Sequence, residues 1–320
     1  MKLLLTDPIH AEAHAELARH AQVQTIPRGL DAAAAETWLR AHIDGADALI
    51  VRRKLPDTLL HSPHTLKAIV RHGVGLDFIP VAQATRRGIP VARTPLVNAN
   101  SVAEYAVAAM LAHARGLHRY DRQVREGNWE ARSRAGQETF ELAGKTVGIV
   151  GYGAIGERVA QKARLGLDMR VAAHTRSPGK LPHSVQAMTL AGLFAQSDFI
   201  VLACPLTEAT RNLVDAKALA CATRRPLLIN VARGAVVDEA ALAQALSSGR
   251  LGGAVLDVFA HQPLPADSPL RGLPNVIFTP HLAGVTRESE AAMGMMAVRT
   301  ALALVAGERP HNVVNPEVFG

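Results

Sequence analysis

The chain has 320 residues, which is enough for about two domains of ordinary size. Hydrophobic residues make up 48% of it and charged residues 20%, a composition that excludes a disordered, collagen-like or low-complexity chain. The 35 Lys and Arg residues exceed the 28 Asp and Glu residues, but the excess is scattered along the sequence, which argues against a nucleic-acid-binding surface.

The first residues, Met1 to Pro8, contain an acid and a proline too early for a signal peptide. No later run reaches the roughly 18 apolar residues of a membrane span, so we expect a cytoplasmic protein without a membrane partner. The two cysteines, Cys204 and Cys221, are too few for a disulfide framework and are not spaced as zinc ligands. No metal site is therefore expected.

Short apolar runs alternate with helical patterns almost from end to end, which is typical of βαβ units and parallel sheets. The first third predicts an Ala-rich helix over Ala11–His20. It also predicts three strands: Leu3–Thr6, Ala48–Val51 and Lys67–Arg71. An Ala-rich apolar run from Ser101 predicts a buried or interface helix, which the polar stretch His118–Phe140 follows.

A second sheet is predicted from evenly spaced β-rich runs: Thr146–Val150, Arg170–Ala173, Phe199–Ala203, Leu227–Asn230, Ala254–Asp257 and Val276–Thr279. The last helical pattern, Ser289–Gly307, has no strand after it, so we expect it to return to the first domain. The predicted fold class is α/β, with two Rossmann-like, doubly wound parallel-sheet domains and a cleft between them. Residues 1–99 plus 289–320 would form the first domain and residues 100–288 the second.

A glycine-rich turn directly follows the strand Thr146–Val150. Gly151, Gly153 and Gly156 make the pattern G-x-G-x-x-G, and a helical pattern follows at once. In a dinucleotide site the first glycine permits the tight turn, the second lets the backbone approach the pyrophosphate, and the third lets helix and strand pack. Because strand, loop and helix occur together, the segment predicts a dinucleotide site rather than an ordinary glycine turn.

An NAD-specific site usually has Asp or Glu at the end of the next strand, about 20 residues further along. This chain has Thr175 there, followed by Arg176 and Ser177. A guanidinium beside a hydroxyl suits the 2′-phosphate of NADP(H), so we favour NADP(H), with NAD(H) as the second choice. The alternative is that Arg176 is a solvated loop side chain.

Three further segments follow predicted strands, where open α/β sheets bind their ligands. They are Asn230–Gly234, Leu256–Phe259 with Gln262, and Thr279–Gly284. Arg233 can clamp a carboxylate and polarise its neighbouring carbonyl, and His281 can exchange a proton near neutral pH. Together with the dinucleotide loop, these residues indicate chemistry on a 2-keto or 2-hydroxy acid.

With these segments the chain resembles the D-isomer-specific 2-hydroxyacid dehydrogenases, which include glycerate, phosphoglycerate, glyoxylate/hydroxypyruvate and formate dehydrogenases. The resemblance runs nearly end to end through an ordered set of motifs: Arg71–Asp77, Asn98 with Ser101–Glu104, Gly151–Gly156, Cys204–Thr207, Asn230–Gly234 with Val237 and Asp238, Asp257–Phe259, and Thr279–His281. The Gly73–Asp77 segment and the NADP-like loop are most similar to those of glyoxylate/hydroxypyruvate reductases.

The resemblance implies a role for each site residue. Arg233 would bind the substrate carboxylate and carbonyl, and His281 would donate the proton as hydride arrives. Backbone amides of Val74 and Gly75 would complete the carboxylate pocket, with Arg52 assisting, although Arg52 and Arg53 are not ranked by sequence. Asp257 would hold the nicotinamide carboxamide. The implied dinucleotide contacts are Gly151, Gly153, Ala154, Ile155, Gly156, Thr175, Arg176, Ser177, Cys204, Pro205, Val231, Ala232, Asp257, His281 and Gly284.

The family fold further implies a flavodoxin-like substrate domain made of both chain ends. It implies a homodimer built around residues 101–140. The implied function is NAD(P)-dependent reduction of a small 2-keto acid, such as glyoxylate or hydroxypyruvate, to the D-2-hydroxy acid.

One position departs from the family pattern, because the Glu that usually pairs with the catalytic histidine is Gln262 in this chain. The amide oxygen can orient the imidazole, but it lacks the negative charge that stabilises imidazolium. We therefore expect His281 to titrate at lower pH and reduction to be favoured toward acid pH.

Two other functions stay open at this point. Formate dehydrogenases also carry Gln at this position, and formate oxidation needs no proton donor. Those enzymes usually keep an acidic residue at the second strand and lack the Gly73-Val74-Gly75 form of the pocket, so this function ranks below keto-acid reduction. The other alternative is a dinucleotide-sensing binding protein on the same scaffold, against which the presence of both Arg233 and His281 argues.

Overall fold

The computed structural model describes residues 1–61 and 64–320 of the chain. It divides into two compact units, one made of Met1–Asn98 with Val285–Gly320 and the other of Ala99–Gly284. Each unit contains a parallel sheet with helices packed on it. The α/β class with two Rossmann-like sheets is confirmed.

The first unit is built from short strands separated by helices. Its elements before the chain passes to the second unit are β1 (Lys2–Leu5), α1 (Ala11–Ala18), β2 (Gln22–Thr25), α2 (Ala32–His42), β3 (Ala48–Val51), β4 (Ala68–Arg71), α3 (Val81–Arg86) and β5 (Val91–Arg93). All pairings are parallel, in the order β2-β1-β3-β4-β5. This is the flavodoxin-like order of a doubly wound sheet.

The second unit opens with helices and continues as a larger sheet. Its elements are α4 (Ala99–Ala114), α5 (Leu117–Arg125), α6 (Ala135–Glu138), β6 (Thr146–Val150), α7 (Ala154–Leu167), β7 (Arg170–His174), β8 (Gln186–Ala187), α8 (Leu190–Gln196), β9 (Phe199–Leu202), α9 (Ala216–Ala220), β10 (Leu227–Asn230), α10 (Glu239–Ser247), β11 (Gly253–Leu256) and β12 (Val276–Phe278). The strand order is β12-β11-β10-β9-β6-β7-β8, a Rossmann sheet whose direction of winding reverses between β6 and β9.

The chain then returns to the first unit through α11 (Arg287–Val305), which packs against α1, β3 and β4. Short 3₁₀ helices complete the described structure: Leu59–His61, Trp129–Arg134, Pro178–Lys180, Glu208–Thr210, Gly234–Val236, Pro269–Gly272 and Pro316–Phe319. Within residues 1–61 and 64–320, no helix combines the length and the apolar character needed to cross a bilayer.

Both faces of each sheet are covered, which explains why the interior strands are mostly apolar, with polar residues at their ends. In β1, Leu3 and Leu5 pack with α1 and α11, while Leu4 points to the opposite cluster with α2. In β6, Val147 and Ile149 pack beneath α4 and α7. Each fully buried leucine contributes about 2 kcal/mol to folding, so these continuous apolar runs hold the strand ends in place.

The apolar patterns predict the interior strands to within one or two residues and do not predict β2, β5 or β8. All three are edge strands of their sheets. β2 has the polar sequence Gln-Val-Gln-Thr, and β8 is only two residues long. β2 and β8 bury little apolar surface and β5 is only three residues long, so none of the three has the continuous hydrophobic run on which the prediction depends.

Candidate active site and dinucleotide site

The loop that follows β6 is shaped by glycines whose neighbours exclude a side chain. Gly151 has φ +94°, and a Cβ atom there would lie 2.6 Å from the backbone of Cys204. A Cβ on Gly156 would overlap the carbonyl oxygen of Gly151. By contrast, apart from its chain neighbours, none of the residues that the structure describes lies within 4 Å of a Cβ built on Gly153, so the loop is open on that side. The loop is therefore closely packed at Gly151 and Gly156 and accessible at Gly153.

The open side of this loop coincides with the start of α7. Gly153 is the N-cap residue of that helix and has no side chain to accept a hydrogen bond from the first turn. The first N–H groups of a helix have no partner within the helix, and the helix dipole favours an anion there. The loop and helix therefore fit the pyrophosphate of a dinucleotide, which is the ligand that this sequence pattern predicts.

The second strand, β7, ends at His174, whose Nδ1 lies 3.2 Å from the carbonyl oxygen of Met188. Thr175 is half-buried, and Arg176 and Ser177 are exposed. The Ser177 amide donates to the Thr175 hydroxyl at 3.4 Å, which turns the backbone at this point. The strand end thus presents a guanidinium and hydroxyls to solvent where an NAD-specific site has a carboxylate.

Arg233 lies in the turn after β10, and hydrogen bonds of the Asn230 side chain hold the backbone of this turn. The Asn230 side chain is almost fully buried; its Nδ2 donates to the carbonyl oxygen of Arg233 at 3.1 Å and its Oδ1 accepts from the Ala232 amide at 3.0 Å. Arg233 is half-buried, and its Nη1 donates to the carbonyl oxygen of Ala232 at 2.8 Å. Because both ends of the buried amide are used inside the turn, the position of Arg233 is closely determined.

The Arg233 turn packs directly on the segment that carries Gln262. A Cβ on Gly234 would overlap the carbonyl carbon of Phe259 and the nitrogen of Ala260, so only glycine fits. Glu239 adds a second contact, because its Oε1 accepts from the Ala260 amide at 2.7 Å. These contacts join the two segments into one structural block.

Gln262 connects this block to His281. Its Nε2 donates to the carbonyl oxygen of Phe259 at 3.4 Å, and its Oε1 lies 3.2 Å from Nδ1 of His281. An amide oxygen only accepts hydrogen bonds, so Nδ1 of His281 carries the proton of this contact. This assigns proton exchange with a ligand to Nε2, the other ring nitrogen.

Asp257 holds the loop that carries His281. Its side chain is 2% exposed and accepts from the Thr279 hydroxyl at 2.6 Å, the Leu282 amide at 2.8 Å and the Ala283 amide at 2.9 Å. The carbonyl oxygen of Asp257 also accepts from the His281 amide at 2.9 Å. His281 has φ +57°, a conformation that costs free energy for a residue with a side chain. Hydrogen bonds to a buried carboxylate offset that cost.

The candidate substrate residues of the first unit lie after β3 and β4. Arg71 supports the loop that contains Val74 and Gly75: its Nε donates to the Gly75 carbonyl oxygen at 3.1 Å, and its guanidinium carbon lies 4.3 Å from the centre of the Phe78 ring. The Gly73 amide donates to the Thr94 hydroxyl at 2.8 Å. The loop backbone is thus fixed from two sides.

The two arginines after β3 both make ion pairs. Nη2 of Arg52 lies 2.8 Å from Oε2 of Glu290, and its Nη1 donates to the Pro8 carbonyl oxygen at 2.6 Å. Arg53 pairs with Asp7 at 2.6 Å, and this hydrogen bond raises the pKa of the Arg53 guanidinium. The role of Arg52 in substrate binding stays a prediction.

The other candidate dinucleotide contacts all lie in the second unit. Cys204 is buried beside Gly151, and burial raises the pKa of its thiol, so it packs there as a neutral side chain. Val231 and Ala232 are buried, and Pro205 is exposed. Their roles toward a cofactor stay predictions.

Sequence patterns assign no role to several residues that shape the site. Tyr105 is the most distant in sequence, since its hydroxyl lies 2.6 Å from that of Thr279, 174 positions away. Glu239 and Arg71 hold loops through single polar contacts. Of these residues, only Thr279 and Arg71 could have been found from the sequence, because both stand in motifs that the chain shares with the family. Local patterns do not encode pairings across the fold.

The chain is similar to one known protein family and to several of its members. The model of the D-isomer specific 2-hydroxyacid dehydrogenase, NAD binding domain, matches residues 107–283. A glyoxylate reductase of Pyrococcus furiosus is 36% identical over 286 residues, which cover 87% of this chain and 84% of that protein. A D-3-phosphoglycerate dehydrogenase of Methanocaldococcus jannaschii is 35% identical over 321 residues, 98% of this chain but 59% of that protein.

Among solved structures, the NADPH-dependent glyoxylate/hydroxypyruvate reductase of Sinorhizobium meliloti, in complex with NADP and malonate, matches with a TM-score of 0.85. It is 29% identical, and the match covers 99% of this chain and 98% of that one. The chain therefore belongs to the D-isomer specific 2-hydroxyacid dehydrogenase family, which confirms the resemblance carried by its motifs. It is an NAD(P)-dependent D-2-hydroxyacid dehydrogenase, an oxidoreductase whose cofactor is a nicotinamide dinucleotide.

Proposed function

We propose that this protein reduces a small 2-keto acid of the glyoxylate or hydroxypyruvate type to the D-2-hydroxy acid. The observation that carries the proposal is the block in which Arg233, Gln262 and His281 are joined after β10, β11 and β12, at the carboxyl edge of the sheet whose strand β6 precedes the dinucleotide loop. A cation for a carboxylate and a proton donor for a carbonyl oxygen lie on one rigid support. Relatives named glyoxylate reductase and glyoxylate/hydroxypyruvate reductase support the choice of substrate class.

In the proposed reaction, bound NAD(P)H supplies a hydride to the keto carbon. Arg233 holds the substrate carboxylate and polarises the adjacent carbonyl. His281 donates a proton from Nε2 to the carbonyl oxygen while Nδ1 keeps its hydrogen bond to Gln262. We assign carboxylate binding also to the amides of Val74 and Gly75, with the help of Arg52.

We further propose that NADP(H) is the preferred cofactor. Arg176 and Ser177 would bind the 2′-phosphate beside Thr175, and the reductase of Sinorhizobium meliloti with NADP bound supports this preference. The Asp257 carboxylate, which accepts from Thr279, Leu282 and Ala283, is proposed to hold the nicotinamide carboxamide, as the resemblance to the family implies. We propose that the other residues given above as implied dinucleotide contacts also bind the cofactor, as the resemblance to the family implies.

The unit made of both chain ends is proposed as the substrate domain, and a homodimer as the working form. The segment 101–140 exposes large apolar side chains that a partner subunit would cover: Leu111, Leu117, Val124, Trp129 and Phe140. Light scattering during size exclusion tests this assignment. A monomer with full activity would contradict it.

Formate oxidation is the second candidate, and one observation favours it. Gln262 pairs His281 with a neutral amide, which suits a reaction that needs no proton donor. Formate oxidation is disfavoured by the lack of an acidic residue at positions 175–177, because an NAD-specific site usually has such a residue.

The decisive experiment measures initial rates of reduction of glyoxylate, hydroxypyruvate, pyruvate and phenylpyruvate with NADPH and with NADH. Oxidation of formate and of D-3-phosphoglycerate is measured alongside. We expect keto-acid turnover with the highest kcat/KM on glyoxylate or hydroxypyruvate and a preference for NADPH. Turnover of formate alone would favour the second candidate.

Variants at the reacting groups separate a catalyst from a sensor. His281→Asn is expected to lower kcat by about 100-fold or more, in the range that general acid catalysis contributes. Arg233→Lys keeps the charge but loses the bidentate geometry, so we expect mainly a higher KM for the keto acid. Dinucleotide binding without turnover on any substrate would indicate a sensor.

A further inference from the structure

A chain of hydrogen bonds leads from α4 to the loop that carries His281. The Tyr105 hydroxyl lies 2.6 Å from the Thr279 hydroxyl, which donates to Oδ1 of Asp257 at 2.6 Å. A threonine hydroxyl has one proton, and because a carboxylate only accepts hydrogen bonds, the Thr279 proton must be given to Asp257. Tyr105 is therefore the donor to Thr279, and the direction of the chain is determined: Tyr105 to Thr279 to Asp257.

The far end of this chain sets the backbone at His281. Oδ1 of Asp257 accepts a hydrogen bond from the Leu282 amide and Oδ2 accepts one from the Ala283 amide. The carbonyl oxygen of Asp257 accepts from the His281 amide. His281 lies between these anchored positions with φ +57°. A carboxylate that shifts or rotates would release these amides, and the imidazole would move with them.

The environment keeps the chain intact at neutral pH. Asp257 is 2% exposed, so its hydrogen bonds meet little competition from water. Tyr105 is half-buried, and burial raises the pKa of its hydroxyl by more than the hydrogen bond with Thr279 lowers it, while the Asp257 charge adds a smaller rise. The tyrosine therefore keeps the proton that it donates.

We propose that Tyr105 is a positioning residue for the proton donor, acting through Thr279 and Asp257 to hold His281 in its left-handed backbone conformation. The proposal rests on the proposed role of His281 in keto-acid reduction. In this role Tyr105 orders the loop that carries the imidazole and takes no part in the chemical step.

Tyr105→Phe removes only the hydroxyl and keeps the ring. We expect kcat for keto-acid reduction to fall about tenfold, because small displacements of a reacting group are costly, while KM for the keto acid changes less than twofold. Tyr120→Phe is the matched control, since its hydroxyl donates to Glu138 at 3.0 Å, a contact outside this chain of hydrogen bonds. The control should keep the kcat of the unmodified protein.

Hydrogen–deuterium exchange of the protein without added ligand gives a readout that does not depend on activity. Tyr105→Phe should increase exchange at the amides of His281, Leu282 and Ala283 several-fold, and Tyr120→Phe should not. Unchanged exchange at these amides together with an unchanged kcat would overturn the proposal.

Substitutions at Thr279 test the same chain independently. Thr279→Ser keeps a hydroxyl and should preserve both kcat and slow exchange, whereas Thr279→Val keeps the shape and should lose both. Because Tyr105 acts through Thr279, adding Tyr105→Phe to Thr279→Val should cost little more than Thr279→Val alone. Fully additive losses in kcat would contradict a shared chain and would also overturn the proposal.

The two proposals fail in different ways. If His281→Asn keeps full activity, the proposed catalytic role is wrong, although faster exchange in Tyr105→Phe would still support the loop-holding chain. If His281→Asn is inactive while Tyr105→Phe matches the unmodified protein in kcat and exchange, the positioning role alone is wrong.

Discussion

Oε1 of Gln262 accepts a hydrogen bond from Nδ1 of His281 across 3.2 Å, so a neutral amide orients the imidazole of this protein. The amide assigns the proton of Nδ1 as well as a carboxylate would. It supplies no charge, however, to stabilise the protonated ring. A glutamate would both orient the imidazole and supply a negative charge, whereas Gln262 only orients it.

Replacing the amide by a carboxylate should change the pH dependence of reduction. In Gln262→Glu the negative charge favours imidazolium, so His281 stays protonated to higher pH, and the basic limb of the kcat profile should move up by about one pH unit. Ala266→Glu is the charge control, because it adds the same charge at an exposed position of the same segment. A basic limb that does not move would contradict the role of this pair.

The exposed guanidinium of Arg176 should distinguish the two cofactors. Arg176→Ala is expected to raise KM for NADPH about tenfold or more and KM for NADH less than twofold, because only NADPH carries the 2′-phosphate. Arg170→Ala is the matched control, since this exposed arginine begins the same strand, β7, at its opposite end. Equal effects on both cofactors would remove Arg176 from the site.

The close packing of Gly234 should make this position intolerant of any side chain. In Gly234→Ala the new Cβ overlaps backbone atoms of Phe259 and Ala260, which cannot rotate away. We expect a loss of about 1 to 3 kcal/mol in the free energy of unfolding and a lower kcat, because the segment that carries Gln262 must shift.

Gly166→Ala is the control for that variant. Gly166 is exposed in the last turn of α7, and outside the adjoining backbone of that helix no described residue lies within 4 Å of a Cβ at this position. Alanine favours the helix, so stability should be equal or slightly higher. Equal stability of the two alanine variants in urea unfolding would contradict the packing interpretation.

Burial of His72 should make the first unit sensitive to acid. The side chain is 4% exposed, and desolvation, aided by the charge of Arg52, lowers its pKa from 6.5 to about 3. Between pH 6.5 and pH 3, His72 binds a proton in the unfolded chain but stays neutral in the folded chain. The contribution of neutral His72 to the free energy of unfolding is therefore present above pH 6.5 and is lost as the pH falls toward 3.

The expected size is about 1.4 kcal/mol of unfolding free energy for each pH unit between pH 6.5 and the folded-state pKa of about 3. His72→Leu removes this term, so its stability relative to the unmodified protein should improve as the pH is lowered from 7 to 5. His311→Gln, at an exposed position, should show no such trend. Parallel pH profiles of unfolding for the His72 variant and the unmodified protein would contradict the prediction.

Much of the fold was predictable because buried parallel strands carry their own pattern. Runs such as Phe199–Leu202 and the first three residues of Leu227–Asn230 are apolar at every position, since both faces of the sheet are covered. The glycine loop was predictable for a related reason, because its spacing reflects steric limits that only glycine meets. The edge strand β2 was not predictable, since Gln22–Thr25 buries too little surface to require an apolar sequence.

The candidate site was predictable as a set of segments and not as a network. Arg233, Gln262 and His281 were identified from their places after strands, but nothing in the sequence predicted that Gly234 wedges against Phe259 or that Asp257 receives amides of the His281 loop. Tyr105 was not identified at all, because its partner lies far along the chain.

The sequence by itself determined the class of fold, the glycine loop for a dinucleotide, the missing acid at positions 175–177 and the exchange of glutamate for Gln262. These features depend on residue type, order and short spacing, which local steric and hydrophobic rules relate directly to structure. Only the tertiary structure decided which nitrogen of His281 is held, which way the Tyr105–Thr279–Asp257 chain points and why Gly234 must remain glycine. Those properties depend on distances between residues far apart in the chain, and such distances exist only after the strands have aligned and brought their ends together.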